Sequence, residues 1–424
     1  MERLLHYVWK YKLYPPETLV TTKGETVSVI DSGIQNTNSG PDFFNAKLKI
    51  GDITWAGCVE IHDKASDWLR HNHDKDKAYD SVVLHVVGVN DRQIYNTNGI
   101  LIPQSVLEVP EAIRRNIDWL LYRDTDIPCL SAIKEIEPIQ LSMWLSALLG
   151  ERLERKTNDI LSMLKQYNND WNEVFYITLT RSFGFGVNNN IFERLAKSLP
   201  LRYIQKQRGS ISQIESMLFG QAGMLDESIE GCHHYNLLQQ EYKFFRHKFG
   251  LQPLEKHLFK TMRMRPNNSP HVRLAQLAAL WFRNDTLFSI IIEEKNIDEL
   301  RKLFKAQPYD FWLTHYNFGH PSPSSDKQIS ENSLNILLIN VVIPMLFAYG
   351  YKNNNPKYNE QAIRFIEGIP AEANAIVSTF RNAGMKVHHA GDSQALIQLK
   401  REYCEKKKCL YCRIGFRLLK RLYP

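Results

Sequence analysis

Two acidic residues and one histidine near the start of the chain have side chains suited to a divalent metal site. Asp42 lies in the stretch GPDFFN at 40–45, and Glu60 and His62 lie in the stretch CVEIH at 58–62. Two carboxylates with carbonyl oxygens and waters suit Mg²⁺ or Mn²⁺. A metal held there could polarise a phosphodiester, and His62 could orient a water or accept its proton. The simpler alternative is that Asp42 caps a loop and Glu60 pairs with a surface lysine.

A β-hairpin is the element that must bring these groups together. Residues 44–50 and 53–61 have strand character on either side of Gly51 and Asp52. The residue numbers of two residues that face each other across the hairpin then add up to about 103. This places residue 60 opposite residue 43, with Asp42 one step away. Because side chains alternate along a strand, Glu60 and His62 should share one face.

A second polar cluster follows the hairpin, at His71 and His73, with His85 inside the next apolar strand. Histidines at this density permit a Zn²⁺ or Mn²⁺ site and a different kind of metal hydrolase. They could equally contact substrate phosphates or form a solvated helix end. For His85 alone, a hydrogen-bonded core histidine is the simpler interpretation.

Three cysteines near the C-terminus have spacing that suits a metal knuckle. Cys404, Cys409 and Cys412 could bind zinc or three corners of an iron–sulfur cluster. The alternative is three ordinary cysteines beside an amphipathic helix. The candidates for a fourth ligand are His388, His389, Cys58, Cys129 and Cys232. The neighbouring basic residues that we expect to contact phosphates are Lys406, Lys407, Lys408, Arg413 and Arg417.

The charge distribution points to a polyanionic partner at the C-terminal end. The formal charge is +7 over 424 residues, yet residues 1–110 carry −3 and residues 400–424 carry +7. Such a basic segment favours nucleic acid as the partner, although a solvated basic tail is an equal alternative.

The composition excludes a disordered chain and a disulfide scaffold, and the charged first residues do not resemble a signal peptide. We expect a cytoplasmic protein without a membrane partner, with the apolar stretch 333–351 as a buried helix.

The pattern of periodicities predicts an α+β protein. Residues 1–125 show the order helix, strand, strand, strand, helical piece, strand, and the chain is mostly helical from residue 138. Residues 125–137 have the composition of a linker. We therefore expect an N-terminal α/β domain at 1–125 and helical domains at 138–262 and 263–424.

This combination resembles the PD-(D/E)xK nuclease superfamily, whose restriction-endonuclease-like core has the order αβββαβ. Pro41-Asp42 matches its first motif, and Glu60-Ile61-His62 matches its second with His in place of Lys. The resemblance covers about residues 1–110 and implies a metal-dependent nuclease or phosphodiesterase with Asp42, Glu60 and His62 as catalytic residues. Asn45, His71 and His73 would then contact substrate. The alternative is a non-catalytic nucleic-acid-binding or scaffold protein on the same fold.

Two further resemblances concern the rest of the chain. Some nucleases of that superfamily carry an iron–sulfur cluster on one distant cysteine and three near the C-terminus, with a different spacing. The whole chain is also similar to an uncharacterised bacterial family defined as a domain of unknown function, on residues 40–46, 59–62, 219–225 and 265–280.

Overall fold

The computed structural model describes residues 2–15, 19–36, 38–122, 125–262, 264–284 and 286–420. It divides into two compact units. The sheet unit comprises Met1–Trp144, Thr379–Met385 and Leu399–Pro424, and the helical unit comprises Leu145–Ser378 and Lys386–Gln398. The C-terminal cysteine segment thus belongs to the unit that contains the sheet. The expected α+β class, with an N-terminal mixed sheet and a mostly helical remainder, is confirmed.

The sheet has six strands in the described residues, with the path β1-β3-β4-β5-β6 and the short β2 paired to β3. The strands are β1 (Val27–Asp31), β2 (Ile34–Gln35), β3 (Phe43–Ile50), β4 (Ile53–Lys64), β5 (Val82–Val89) and β6 (Gln104–Val106). The pairs β1–β3 and β3–β4 are antiparallel, and β4–β5 and β5–β6 are parallel. The helix, strands and helical piece expected for the first 110 residues are present, together with the short strands β2 and β6, which the sequence did not predict.

The predicted hairpin is β3–β4. Gly51 has a φ of 57° in the two-residue turn, a conformation that glycine adopts without steric cost. Ile50 pairs with Ile53 and Ala46 with Gly57, as the predicted register requires. At its far end the prediction is wrong by one residue, because Phe43 pairs with Val59. The cause is a bulge at Asn45, whose φ of 55° interrupts the ladder.

The two faces of the sheet bury different groups. One face packs against α1 (Glu2–Lys10), where Val8 and Trp9 contact a core that includes Val59 and Ile61. On the other face, Trp68 packs with Cys58, Tyr79 and Val82. Glu60 and His62 alternate with Val59 and Ile61 along β4, so they share the face that carries Trp68. The crossover between the parallel strands β4 and β5 lies over that face and carries His71 and His73.

The remaining helices account for most of the chain beyond the sheet. They are α2 (Asp67–Arg70), α3 (Glu111–Tyr122), α4 (Pro138–Gln166), α5 (Trp171–Phe183), α6 (Asn189–Ser198), α7 (Leu201–Gln205), α8 (Ile211–Gln221), α9 (His233–Phe249), α10 (Pro270–Arg283), α11 (Leu287–Glu293), α12 (Ile297–Phe304), α13 (Glu331–Leu337), α14 (Ile343–Lys352), α15 (Pro356–Glu367), α16 (Ala375–Asn382), α17 (Ala390–Gln398) and α18 (Arg413–Lys420). A π-helical turn joins α13 to α14, and another follows α17. Helical periodicity from residue 138 predicted this part of the fold correctly.

The continuous helix Glu331–Lys352 is the one described segment long and apolar enough to cross a membrane. Of its most apolar window, 72% is buried inside the protein, which is typical of the core helix of a soluble protein. The interpretation of residues 333–351 as a buried helix is confirmed.

Candidate functional site

The structure brings Asp42 and Glu60 together, each bonded to the backbone of the other strand. The backbone N–H of Asp42 donates to Oε2 of Glu60 at 3.0 Å, and the N–H of Ile61 donates to Oδ2 of Asp42 at 2.9 Å. These two bonds fix both carboxylates where β3 enters the sheet. Burial, together with the nearby charge of Asp42, raises the pKa of Glu60.

The remaining oxygen of Glu60 lies among histidines. Its Oε1 is 3.4 Å from Nε2 of His62 and 3.3 Å from Nε2 of His73. The Nδ1 atom of His71 lies 3.2 Å from the same Nε2 of His62. One nitrogen from each of the three rings lies within 4.8 Å of the others. The two predicted clusters are therefore one site.

These separations match the edges of a metal coordination polyhedron. Nitrogen or oxygen ligands about 2.0–2.1 Å from a tetrahedral ion are about 3.3–3.4 Å apart. Three of the six distances among these four atoms are 3.2, 3.3 and 3.4 Å. The group whose ligand atoms all lie within 4.8 Å of one another consists of the three histidines, and Glu60 contacts two of them. Three imidazoles with a carboxylate beside them suit a divalent transition metal.

A second set of side chains orients the histidines. Nδ1 of His62 lies 2.9 Å from Nε2 of the fully buried His85. This bond orients the ring so that Nε2 of His62 faces Glu60 and His71, as the outer partners of metal-binding histidines commonly do. The ring of His73 stacks on Tyr79 at 3.7 Å between centroids and meets the edge of Trp68. His85 therefore supports the candidate metal site from behind the ligand set.

Burial keeps the central histidine neutral. His62 is 2% exposed, and burial with the adjacent His73 and His71 lowers its pKa to about 4. Burial also lowers the pKa of His85 well below its usual value. A neutral imidazole has the lone pair that a metal requires, so the lowered pKa keeps His62 in the form that can bind a metal.

Local turn chemistry places His71 and His73 over the sheet. The N–H of Lys64 donates to the carboxylate of Asp67 at 3.1 Å, which ties the end of β4 to the start of α2. Asn72 then adopts a left-handed φ of 60°, a conformation that asparagine tolerates better than most residues. This reversal lets residues on either side of Asn72 present their rings to the same point.

His6 is a site residue that sequence reasoning missed. It lies on α1, with its Nε2 atom 3.2 Å from Oδ2 of Asp42. Burial lowers its pKa, but the hydrogen bond and the charge of Asp42 outweigh that effect and raise it overall. No local motif marks His6; only its position on the helix that packs against β4 could have indicated a role.

Asn45 occupies the bulge, not the cluster. It is exposed, and its positive φ explains why an asparagine suits that position. Among the described residues, none of the hydrogen bonds that hold the cluster involves its side chain. Its proposed contact with substrate stays a prediction.

The predicted basic residues lie on the C-terminal segment of the sheet unit. Lys406, Lys407 and Lys408 are all exposed, and Lys406 pairs with Glu402 at 2.5 Å. Arg413 begins α18, and its guanidinium lies 5.0 Å from the centre of the Trp144 ring. The structure thus presents these cations to solvent, separate from the histidine cluster in sequence and in contacts.

Cys404, Cys409 and Cys412 gather around a fourth cysteine, Cys129. Burial raises the pKa of Cys129 and of Cys404, and further contributions come from the other thiols of the group. Cys129 lies in the helical turn Pro128–Glu135, while the thiol of Cys409 lies 3.7 Å from the carbonyl oxygen of Leu120. Of the five candidates for a fourth ligand, Cys129 is the one that interacts with the thiols of Cys404, Cys409 and Cys412.

These four thiols, all within the described residues, do not form a compact group of the kind that the histidines form. Sulfur atoms around a tetrahedral zinc, with bonds of about 2.3 Å, lie about 3.8 Å apart. Within the part of the chain that the structure describes, the only group of three such ligand atoms mutually within 4.8 Å is that of the three histidines. The expected metal knuckle on Cys404, Cys409 and Cys412 therefore stays a prediction.

Comparisons with known proteins place the chain in a family without assigning an activity. No curated protein and no solved structure matches it. A family model described as "Protein of unknown function (DUF2851)" matches residues 2–375, which include the sheet, the carboxylates and all the histidines of the cluster. The chain therefore belongs to the DUF2851 family.

Proposed function

We propose that the protein is a metal-dependent phosphodiester hydrolase acting on nucleic acid, with Glu60, His62, His71 and His73 as its metal ligands. The observation that carries this proposal is the gathering of one nitrogen from each of His62, His71 and His73 within 4.8 Å of the others, with Glu60 Oε1 3.4 Å from His62 Nε2 and 3.3 Å from His73 Nε2. Three imidazoles and a carboxylate gathered in this way are typical of a metal site.

The choice of metal follows from the donor atoms. Three imidazoles favour Mn²⁺ or Zn²⁺, whereas Mg²⁺ prefers oxygen ligands and retains several waters. The two carboxylates alone suggested Mg²⁺ or Mn²⁺. With the three imidazoles included, the candidate ions become Mn²⁺ and Zn²⁺. Such an ion lowers the pKa of a bound water and stabilises the negative charge that develops on a phosphoryl group.

The protein's own groups would handle the proton. Asp42 is partly exposed at the edge of the cluster and hydrogen-bonded at Oδ2, so its carboxylate is held in a fixed orientation. His6 contacts that carboxylate, and Asp42 raises its pKa. An Asp–His pair next to an activated water can accept the water's proton, or can donate one to a leaving oxygen. His62 stands where the resembled nucleases have lysine and would act as a ligand.

Nucleic acid is the proposed substrate on three grounds. With the two-residue β2 left out, the elements from α1 to β5 follow the order αβββαβ, and Asp42 precedes β3 and Glu60 lies on β4, as in the PD-(D/E)xK pattern. The basic residues of the C-terminal segment are solvent-exposed. The four cysteines that interact with one another could form a second metal centre, with zinc and an iron–sulfur cluster as the candidates.

The test is divalent-dependent cleavage of labelled DNA and RNA by metal-stripped protein supplied with Mn²⁺, Zn²⁺ or Mg²⁺. We expect cleavage with Mn²⁺ or Zn²⁺, lost in Glu60→Gln and His73→Gln. Glu108→Gln is the matched control, because Glu108 is an exposed carboxylate of the same unit. Intact substrate under every condition, with metal bound and the fold retained, would refute hydrolysis. Salt-sensitive binding in that case would support the non-catalytic alternative.

A further inference from the structure

The helical unit contains a large cavity, whereas the candidate metal site belongs to the sheet unit. The cavity has a volume of about 800 Å³ and lies between the loop after α5, the end of α8 and the first turn of α10. Its wall combines apolar, basic and imidazole side chains, among them Val187, Met224, Phe259, Lys260 and His271. A volume of this size with a mixed lining is typical of a site for a small organic molecule.

The segment that forms one side of the cavity is anchored to the helices beneath it. Gly223 has a φ of 68°, and a Cβ at this position would lie 2.0 Å from the carbonyl oxygen of Leu254. The side chain of Asn188 accepts from the N–H of Lys260 and donates to its carbonyl oxygen, each at 2.9 Å. This side of the cavity is therefore formed before any ligand binds, which lowers the entropic cost of binding.

His271 gives the cavity a polar group without a partner. Its ring is mostly buried and lies beside Phe219 and Phe318, with centroids 6.1 and 5.7 Å away. Within the described residues, neither ring nitrogen makes a hydrogen bond, and neither is closed off from solvent. Burial, together with the charge of Lys256, lowers the pKa of His271 to about 4, so the neutral ring offers one donor and one acceptor.

Two apolar side chains of the cavity wall are exposed to water. Met262 is 86% exposed and Val187 is 59% exposed. A ligand that covers them removes apolar surface from water, which favours binding. The cavity thus suits a ligand with a sizeable body, and an inorganic anion would leave this surface wet.

One lysine of the wall is available to an anion. Lys256 forms an ion pair with Glu227 at 2.7 Å. Lys260 is exposed, and its amine has no ion pair with any of the residues that the structure describes. An anionic group on the ligand would supply the partner, in a charge-assisted hydrogen bond.

These features together favour one chemical class of ligand. A fatty acid would place its chain against the donor and the acceptor of His271 and leave both unpaired, which is unfavourable. A flat heterocycle with a donor and an acceptor on its edge, joined to a phosphate, meets every requirement. We propose that this cavity binds a nucleoside monophosphate, with the edge of the base against His271 and the phosphate at Lys260. The proposal does not depend on hydrolysis at the metal site.

Isothermal titration calorimetry tests the proposal with the full chain in chelator, so that no divalent metal contributes. We expect saturable binding of at least one of AMP, GMP, CMP and UMP, with inorganic phosphate and laurate at least about tenfold weaker. Lys260→Gln should weaken nucleotide binding by about tenfold and leave binding of the corresponding nucleoside unchanged. His271→Phe keeps a ring beside Phe219 and should weaken both ligands by about tenfold. Lys305→Gln is the matched control, because Lys305 is an exposed lysine of the same unit outside the cavity.

The outcomes separate this site from the proposed hydrolysis. The proposal is overturned if none of the four nucleotides binds saturably at about 1 mM, or if phosphate or laurate binds more tightly than all of them. Unchanged nucleotide affinity in Lys260→Gln, or an equal loss in Lys305→Gln, would also overturn it. A loss of nucleotide affinity without a loss of nucleoside affinity in Lys260→Gln would support the site, whether or not the protein cleaves nucleic acid.

Discussion

Manganese should stabilise the folded protein through Glu60 and the three histidines. An ion that binds the native state alone, at 100 times its dissociation constant, contributes about 2.7 kcal/mol to the free energy of unfolding. For a unit of roughly 180 residues, each kcal/mol shifts the midpoint of thermal unfolding by about 2–4 °C, so we expect a rise of about 5–11 °C. Differential scanning calorimetry of metal-stripped protein, with and without Mn²⁺, measures this rise in the unfolding midpoint. Mn²⁺ is the better probe because thiolates prefer softer metals.

Glu60→Gln tests the same reasoning from the opposite direction. Glutamine keeps the shape of the side chain and removes the buried charge that faces two histidines at 3.3 and 3.4 Å. The metal-free variant should therefore be about as stable as the wild type or more stable, since the glutamine oxygen can still accept from the N–H of Asp42 while a charge that is costly to bury is removed. Its response to Mn²⁺ should disappear, while Glu108→Gln should keep it. A metal-free Glu60→Gln protein that is clearly destabilised, or one that retains the full Mn²⁺ response, would refute the proposed ligand set.

Three further predictions concern other parts of the molecule. Cys129→Ser should remove most of the iron or zinc from the proposed centre on Cys129, Cys404, Cys409 and Cys412, whereas Cys58→Ser should not. Elemental analysis of the purified variants measures this metal content. Burial lowers the pKa of His271 to about 4, below its unfolded value of about 6.5. The helical unit should therefore lose up to about 3 kcal/mol of stability as the pH falls from 6.5 to 4, and His271→Gln should flatten that slope in urea unfolding. Gly220→Ala should destabilise the helical unit by about 1–3 kcal/mol in the same assay, because the added Cβ would lie 2.0 Å from the ring of Tyr242; unchanged stability would contradict this.

Local patterns were sufficient for the elements that carry the site. The alternation of apolar residues on both sides of Gly51 and Asp52 predicted the hairpin, and hairpin geometry then predicted that Asp42 and Glu60 converge. The one-residue slip at Phe43 was not predictable, because a bulge depends on the left-handed conformation of Asn45 and on packing around it. Side-chain alternation correctly placed Glu60 and His62 on one face.

Long-range packing produced what the sequence pattern did not contain. His71 and His73 were predicted as a separate cluster, since no local rule shows that the crossover after β4 turns back over the sheet. His6 and Cys129 belong to elements distant in sequence from their partners, and each is one apolar-flanked polar residue among many. Such contacts depend on how whole elements pack, which periodicity and motif spacing do not specify.

The most direct test of the account is a crystal structure of the protein soaked in Mn²⁺, with anomalous diffraction used to locate the ion. We predict one strong peak about 2.0–2.3 Å from Glu60 Oε1, His62 Nε2, His71 Nδ1 and His73 Nε2. A well-ordered cluster without a peak at saturating Mn²⁺, or an ion bound away from these four atoms, would contradict the central claim.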